Sequence, residues 1–155
     1  MKNMKVNCIF LKTVFVFLFF TGTSVSIAQD KRMEKVQSVY DTLVAYEIIE
    51  PVTSLSIAIL ESGWFECKKC VYHNYKNLFG FRNHKHYMHF TSESECISYL
   101  KDWQEKFYSP WKVKHPSRTY HQFLVRMKYA EDMTSYLRKL KIIEGWMKKR
   151  LKLRK

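Results

Sequence analysis

The run Leu55–Leu60 holds one polar residue, Ser56, and it leads directly into an acid, Glu61, followed by Ser62, Gly63 and Trp64. A helix that is apolar all round has no solvent side, so the rest of the chain must wrap it. Gly63 suits the position where a left-handed residue stops a helix. Glu61 therefore falls in the last turn, where apolar core gives way to a polar opening. Burial disfavours a charged carboxylate, so its pKa is expected to lie high. A carboxyl that keeps its proton near neutral pH can act as a general acid. The alternative is a solvated helix-end Glu. Trp64 adds a flat apolar face beside the acid.

The elements around this helix are expected to be helical. From Lys31 to Glu50, Met33, Val36, Tyr40, Leu43 and Glu47 recur at helical spacing, all but the last apolar, with Asp30 as a cap. Pro51 breaks that pattern, and Thr53 or Ser54 can cap the apolar helix. Cys67 to Lys76 is polar, basic and irregular and reads as a loop. Arg82 to Phe90 alternates weakly and supports at most a short β-hairpin. Ser92 and Glu95 form a capping-box pattern, and Cys96, Leu100, Trp103 and Phe107 lie behind it as a core stripe. Ser109-Pro110 and His115-Pro116 bracket a linker. Ser117 can cap a helix that turns Tyr120, Phe123, Leu124 and Met127 inward. Asp132 can cap a last helix with Tyr136, Leu140, Ile143 and Met147 inward. The expected fold is mainly α, one domain over 29–147, followed by a basic tail, 148–155, read as a solvated helix end.

The chain has 155 residues and a formal net charge of +13. Its first 28 residues read as a signal peptide. They have a basic start (Lys2, Lys5, Lys12), an apolar run Val14–Phe20, and Ser26-Ile27-Ala28 as a small-x-small cleavage site. An uncleaved anchor is the alternative; cleavage is expected because the uninterrupted run after Lys12 is shorter than the roughly 20 residues a spanning helix needs. A secreted or periplasmic domain comes after it. Of the +13, three charges belong to Lys2, Lys5 and Lys12, which leaves +10 for the rest. That excess implies an anionic partner, such as nucleic acid, a lipid surface or an acidic wall polymer. The basic residues are scattered and form no nucleic-acid motif, so an anionic wall or membrane surface is the expected electrostatic contact.

Three cysteines lie beyond residue 28: Cys67, Cys70 and Cys96. Outside the cytoplasm disulfides are favoured. Cys67 and Cys70 can pair with each other, or one of them can pair with Cys96. Zinc is the competing reading, with Cys67, Cys70 and either His73 or Cys96, although one Cys-x-x-Cys pair is half a zinc signature; free thiols are the third. His84, His86 and His89 alternate as an exposed strand would, and a metal role is not assigned to them.

Leu60-Glu61-Ser62-Gly63-Trp64, then Asn77-Leu78-Phe79-Gly80, then Tyr129-Ala130-Glu131-Asp132 with Tyr136, Leu140, Ile142 and Ile143 make three blocks in order. Together they resemble the glucosaminidase family of peptidoglycan hydrolases, the bacterial autolysin and flagellar-type endo-β-N-acetylglucosaminidases. The resemblance runs from about Pro51 to Glu144. It implies a lysozyme-like helical fold with a cleft, and cleavage of the glycan strand at N-acetylglucosamine rather than amidase activity. It implies Glu61 as the general acid and Tyr129 as a second catalytic group close to it. Trp64, Asn77 and Phe79 would shape the sugar subsite. No cofactor and no metal are implied. The chain departs from the family pattern in three places. Phe65 and Lys128 stand where glycines are frequent, and the acid that some members carry on their hairpin has no counterpart. The second catalytic carboxyl is therefore open, and the substrate's own N-acetyl group can take its place.

A different class of function fits the same residues. With no second catalytic group, the domain would bind peptidoglycan without cutting it. A basic secreted effector that binds nucleic acid or lipid is the third reading.

Overall fold

The computed structural model describes residues 31–152. The expected signal peptide, the Asp30 cap and the last three tail residues lie outside them. The chain divides after Glu34 into two units. Residues 31–34 are helical and belong to the first; the second begins at Lys35.

The second unit is mainly helical with one short antiparallel hairpin among the described residues. Helix α1 occupies residues 35–45 of it. Then come α2 (Pro51–Ser62), α3 (Val71–Tyr75), β1 (Arg82–Asn83), β2 (His86–Tyr87), α4 (Glu93–Trp103), a π-helical turn (Gln104–Tyr108), α5 (Ser109–Lys114), α6 (Tyr120–Arg126) and α7 (Met133–Arg150).

Helix α2 is the buried centre, as its composition requires. Thr53 through Ile59 are all buried, and α7 packs along it. The polar groups this buries are partnered, as a low-dielectric interior demands. Ser56 donates to the Val52 carbonyl at 2.9 Å, and Ser54 accepts from Gln104 at 3.3 Å. Neither Thr53 nor Ser54 caps α2. The helix starts two residues earlier, at Pro51, with Glu50 in the left-handed region at φ 57°. Proline fits this first position because its missing N–H would be unpaired there anyway.

The first helix ends at residue 45, short of the expected Glu50. Glu47 has φ 57°, which breaks the helical course.

The π turn corrects two other expectations. A wider turn rotates the residues after Trp103 out of the four-residue stripe. Phe107 therefore ends 39% exposed, whereas Gln104 and Tyr108 are buried. Gln104 then closes the α1–α2 connection. Its Oε1 accepts from Ile49 N at 2.9 Å, and its Nε2 donates to Ile49 O at 2.8 Å and to the Tyr120 hydroxyl at 3.0 Å. The expected linker after Tyr108 is α5, with Pro110 in its first turn. Cys67–Lys76 likewise contains α3 rather than only loop.

Three caps define the remaining helices. Ser92 accepts from Glu95 N at 3.1 Å, but Glu95 reaches back to the amide and hydroxyl of Thr91 rather than to Ser92. Thr119, not Ser117, caps α6 in a reciprocal box with Gln122. Tyr120, Phe123 and Leu124 are buried, while Met127 is 38% exposed. Asp132 caps α7 through Ser135 N at 3.0 Å. Leu140 and Met147 are buried on α7, and Tyr136 and Ile143 are half-buried. Helix α7 continues into the basic segment as far as Arg150, whose guanidinium lies 4.7 Å from the Trp146 ring centre.

Candidate functional site

Glu61 lines an open cavity of about 680 Å3, a volume in the range of small-molecule sites. The end of α2 delivers the acid there. Gly63 closes the helix at φ 57°, and Trp64 and Phe65 come next in the same left-handed region at φ 63° and 64°. Three such residues in a row end the helix sharply. Trp64 N donates to Ile59 O at 2.9 Å, and Phe65 N donates to the Ser62 hydroxyl at 2.9 Å. Non-glycine residues in this region carry a steric cost of about 1–2 kcal/mol each.

Burial raises the Glu61 pKa, and this outweighs a hydrogen bond from Tyr136 and the positive charge of Arg82, both of which lower it. The Tyr136 hydroxyl donates to Glu61 Oε1 at 3.0 Å. The other oxygen faces Gly80, where a Cβ would come within 2.8 Å of Oε2, and Gly80 has φ 66°. Both its torsion and its lack of a side chain let the Asn77–Gly80 segment close on the acid.

Asn77 is 1% exposed and cannot touch a ligand. It holds the hairpin instead. Its Nδ2 donates to the carbonyls of Phe81 at 2.8 Å and Met88 at 3.0 Å, and its Oδ1 accepts from Phe81 N at 2.9 Å. Phe79 is likewise buried, at 1%, and lies on the wall of the same cavity as Glu61. Its carbonyl accepts a hydrogen bond from the Tyr129 hydroxyl. Tyr129 does line the cavity, but its phenol is committed to this brace, and burial pushes its pKa well up. Trp64, expected at the sugar subsite, packs edge-on against Trp146 of α7 at 4.9 Å. The aromatic residues lining the cavity are Phe79, Phe81, Tyr87, Trp103, Tyr129 and Tyr136.

Among the site members that sequence reasoning missed are Tyr136, Arg82 and Glu131. Tyr136 reads as a core position because it sits at helical spacing with Leu140. Arg82 lies in a segment whose alternation points only to a strand; its guanidinium donates to the Tyr87 hydroxyl and stands 4.2 Å from that ring's centre. Glu131 lies inside the third block, where the resemblance assigns it no role, and it lines the same cavity as Glu61.

The three thiols are unlinked. Cys96 is fully buried and accepts from Leu78 N at 3.4 Å; burial pushes its pKa up to about 12. The Cys70 thiol donates to Cys67 O at 2.8 Å. A hydrogen bond with Cys70 lowers the Cys67 pKa. Among the described residues, no group of three or more His, Cys, Asp or Glu is placed to hold a metal ion. His89 stacks on Tyr75 at 3.6 Å.

Comparisons with protein-family models, with curated proteins and with solved structures give no match.

Proposed function

We propose that the chain is an exported peptidoglycan hydrolase of the glucosaminidase type. It cuts the glycan strand at N-acetylglucosamine, with Glu61 as the general acid. The observation that carries this reading is the Glu61 carboxyl on the wall of an open cavity, its pKa raised by burial. A protonated acid at a ligand-sized opening is what departure of a sugar oxygen requires.

Two further observations support it. Gly80 closes the second sequence block directly onto the acid, and the third block adds Tyr129 and Tyr136 to the same cavity. The two positions where the family favours glycine are also left-handed here, Phe65 at φ 64° and Lys128 at φ 50°. Glycine adopts that conformation freely, so the backbone path that glycine would take is kept although the residue differs. The net charge of +10 beyond residue 28 suits an anionic wall. In this reading Tyr129 assists by holding the Phe79 carbonyl, and no cofactor takes part.

The test is digestion of purified cell walls with mass analysis of the products. Fragments with N-acetylglucosamine at the reducing end, absent with Glu61→Gln, are expected. Fragments ending in muramic acid would reassign the cut to a lysozyme-type bond. Wall binding without any release would make the domain a binding module.

A further inference from the structure

We propose that Glu131 is the second carboxyl of this site, the base that takes a proton from the attacking water. This inference rests on the hydrolase reading. Glycoside hydrolysis ordinarily uses two carboxyls, one to protonate the leaving oxygen and one to supply or activate the nucleophile. Glu61 fills only the first role.

Among the described residues, the acids lining the cavity are Glu61 and Glu131. Three other acids are engaged elsewhere. Glu93 is held by Lys35 at 2.6 Å and by the Tyr72 hydroxyl at 2.7 Å. Glu95 is bound to Thr91, and Asp132 caps α7. Glu131 has no such structural duty at the cap beside it.

The two acids also differ in setting. Glu61 is half-buried at the end of α2; Glu131 is exposed, on the loop between α6 and α7. Environments that separate two carboxyls in this way give one acid and one base. Arg82 feels the charge of both, so a single cation from the hairpin serves the pair. The other charged and titratable groups on this wall are Tyr87 from β2, Lys128 and Tyr129 from the Glu131 loop, and Tyr136 from α7.

In the reaction, the water oxygen bonds to the anomeric carbon as one of its protons passes to Glu131. The bond from that carbon to the leaving oxygen breaks, and the oxygen takes the proton of Glu61. Solvent then returns a proton to Glu61 and removes one from Glu131. With water attacking directly, the β-linkage yields an α-configured product.

The experiment compares wild type and Glu131→Gln on purified walls, reading kcat, KM, pH profile and product anomer by NMR. Wild type must release fragments; its failure would remove the hydrolase reading itself. Given that release, Glu131→Gln is expected to lose at least about 100-fold in kcat with little change in KM. It should also lose the fall in rate toward acid pH that a base imposes. An unchanged thermal melt would separate this from unfolding. A fully active Glu131→Gln with the same pH profile overturns the proposal. So does a β-configured product, which would mean a first displacement by a carboxylate or by the substrate's N-acetyl group in place of direct attack by water.

Discussion

Tyr136 gives its phenolic proton to Glu61 Oε1 across 3.0 Å, joining the start of α7 to the end of α2. That bond lowers the Glu61 pKa, yet burial still raises it overall. The folded chain thus holds a proton that the unfolded chain releases within the ordinary carboxylate range. Stability falls as pH rises from that range through the raised folded value.

Replacing Glu61 with Gln removes this penalty while keeping an amide oxygen for Tyr136. Glu61→Gln should be more stable than wild type at neutral pH, where the raised folded pKa weighs against the ionised acid. The gain should vanish below the unfolded carboxylate pKa. Thermal melts of both chains across pH measure it, and equal stabilities at every pH would contradict a buried, proton-holding acid.

Gly80→Ala should cost both stability and activity. The added carbon meets Glu61 Oε2 at 2.8 Å, and the backbone sits at φ 66°. A strained position of this sort costs roughly 1–3 kcal/mol, and relief can come only by displacing the acid. Denaturant unfolding and wall clearing, measured together, should both decline.

Asn77→Ala should be strongly destabilising without removing any ligand contact. It strips the Asn77 partner from the Phe81 amide and the Met88 carbonyl, while the Phe81 carbonyl loses one bond but keeps that from Met88 N at 3.0 Å. Each buried group left unpaired costs about 1–3 kcal/mol, so a loss of roughly 3 kcal/mol is expected. Urea unfolding reports it; a loss below about 1 kcal/mol would mean that water replaces the amide.

Much of this architecture was legible in the sequence. Burial of α2, its stop at Gly63 and the high pKa of Glu61 come from an apolar run that ends in an acid and a glycine. Asp132 as a cap was equally plain. The roles of Tyr136 and Glu131 were not, because they depend on where the α6–α7 loop meets α2, a contact between residues 75 positions apart in the case of Tyr136. Periodicity placed Phe107 in the core and failed there, since one π turn shifts the register without changing composition. Trp64 read as a ligand platform because its neighbour in sequence is the acid. The left-handed turn brings it instead against Trp146.

Lys128→Gly should stabilise the fold modestly. Lys128 has φ 50°, a region that costs a side chain about 1 kcal/mol or more, and its own side chain is exposed. Part of the gain is cancelled by the greater freedom of glycine in the unfolded chain. A net rise of a few tenths of a kcal/mol up to about 1 kcal/mol is expected from denaturant midpoints.

Thiol labelling should separate the cysteines of the domain. Cys67 and Cys70 are half-buried and should react in the native state, Cys67 faster because its pKa is lowered. Cys96, fully buried with its pKa pushed to about 12, should react only on unfolding. Mass mapping after a short alkylation pulse would show this; early label on Cys96 would contradict its place in the core.

The hairpin that carries Arg82 has strands only two residues long, too short to stand alone. Its placement is set from beneath, by the amide of Asn77. The tip at His84 and Lys85 is thereby relieved of any structural task. Longer loops should be accepted there while the Glu61 carboxyl stays where α2 put it.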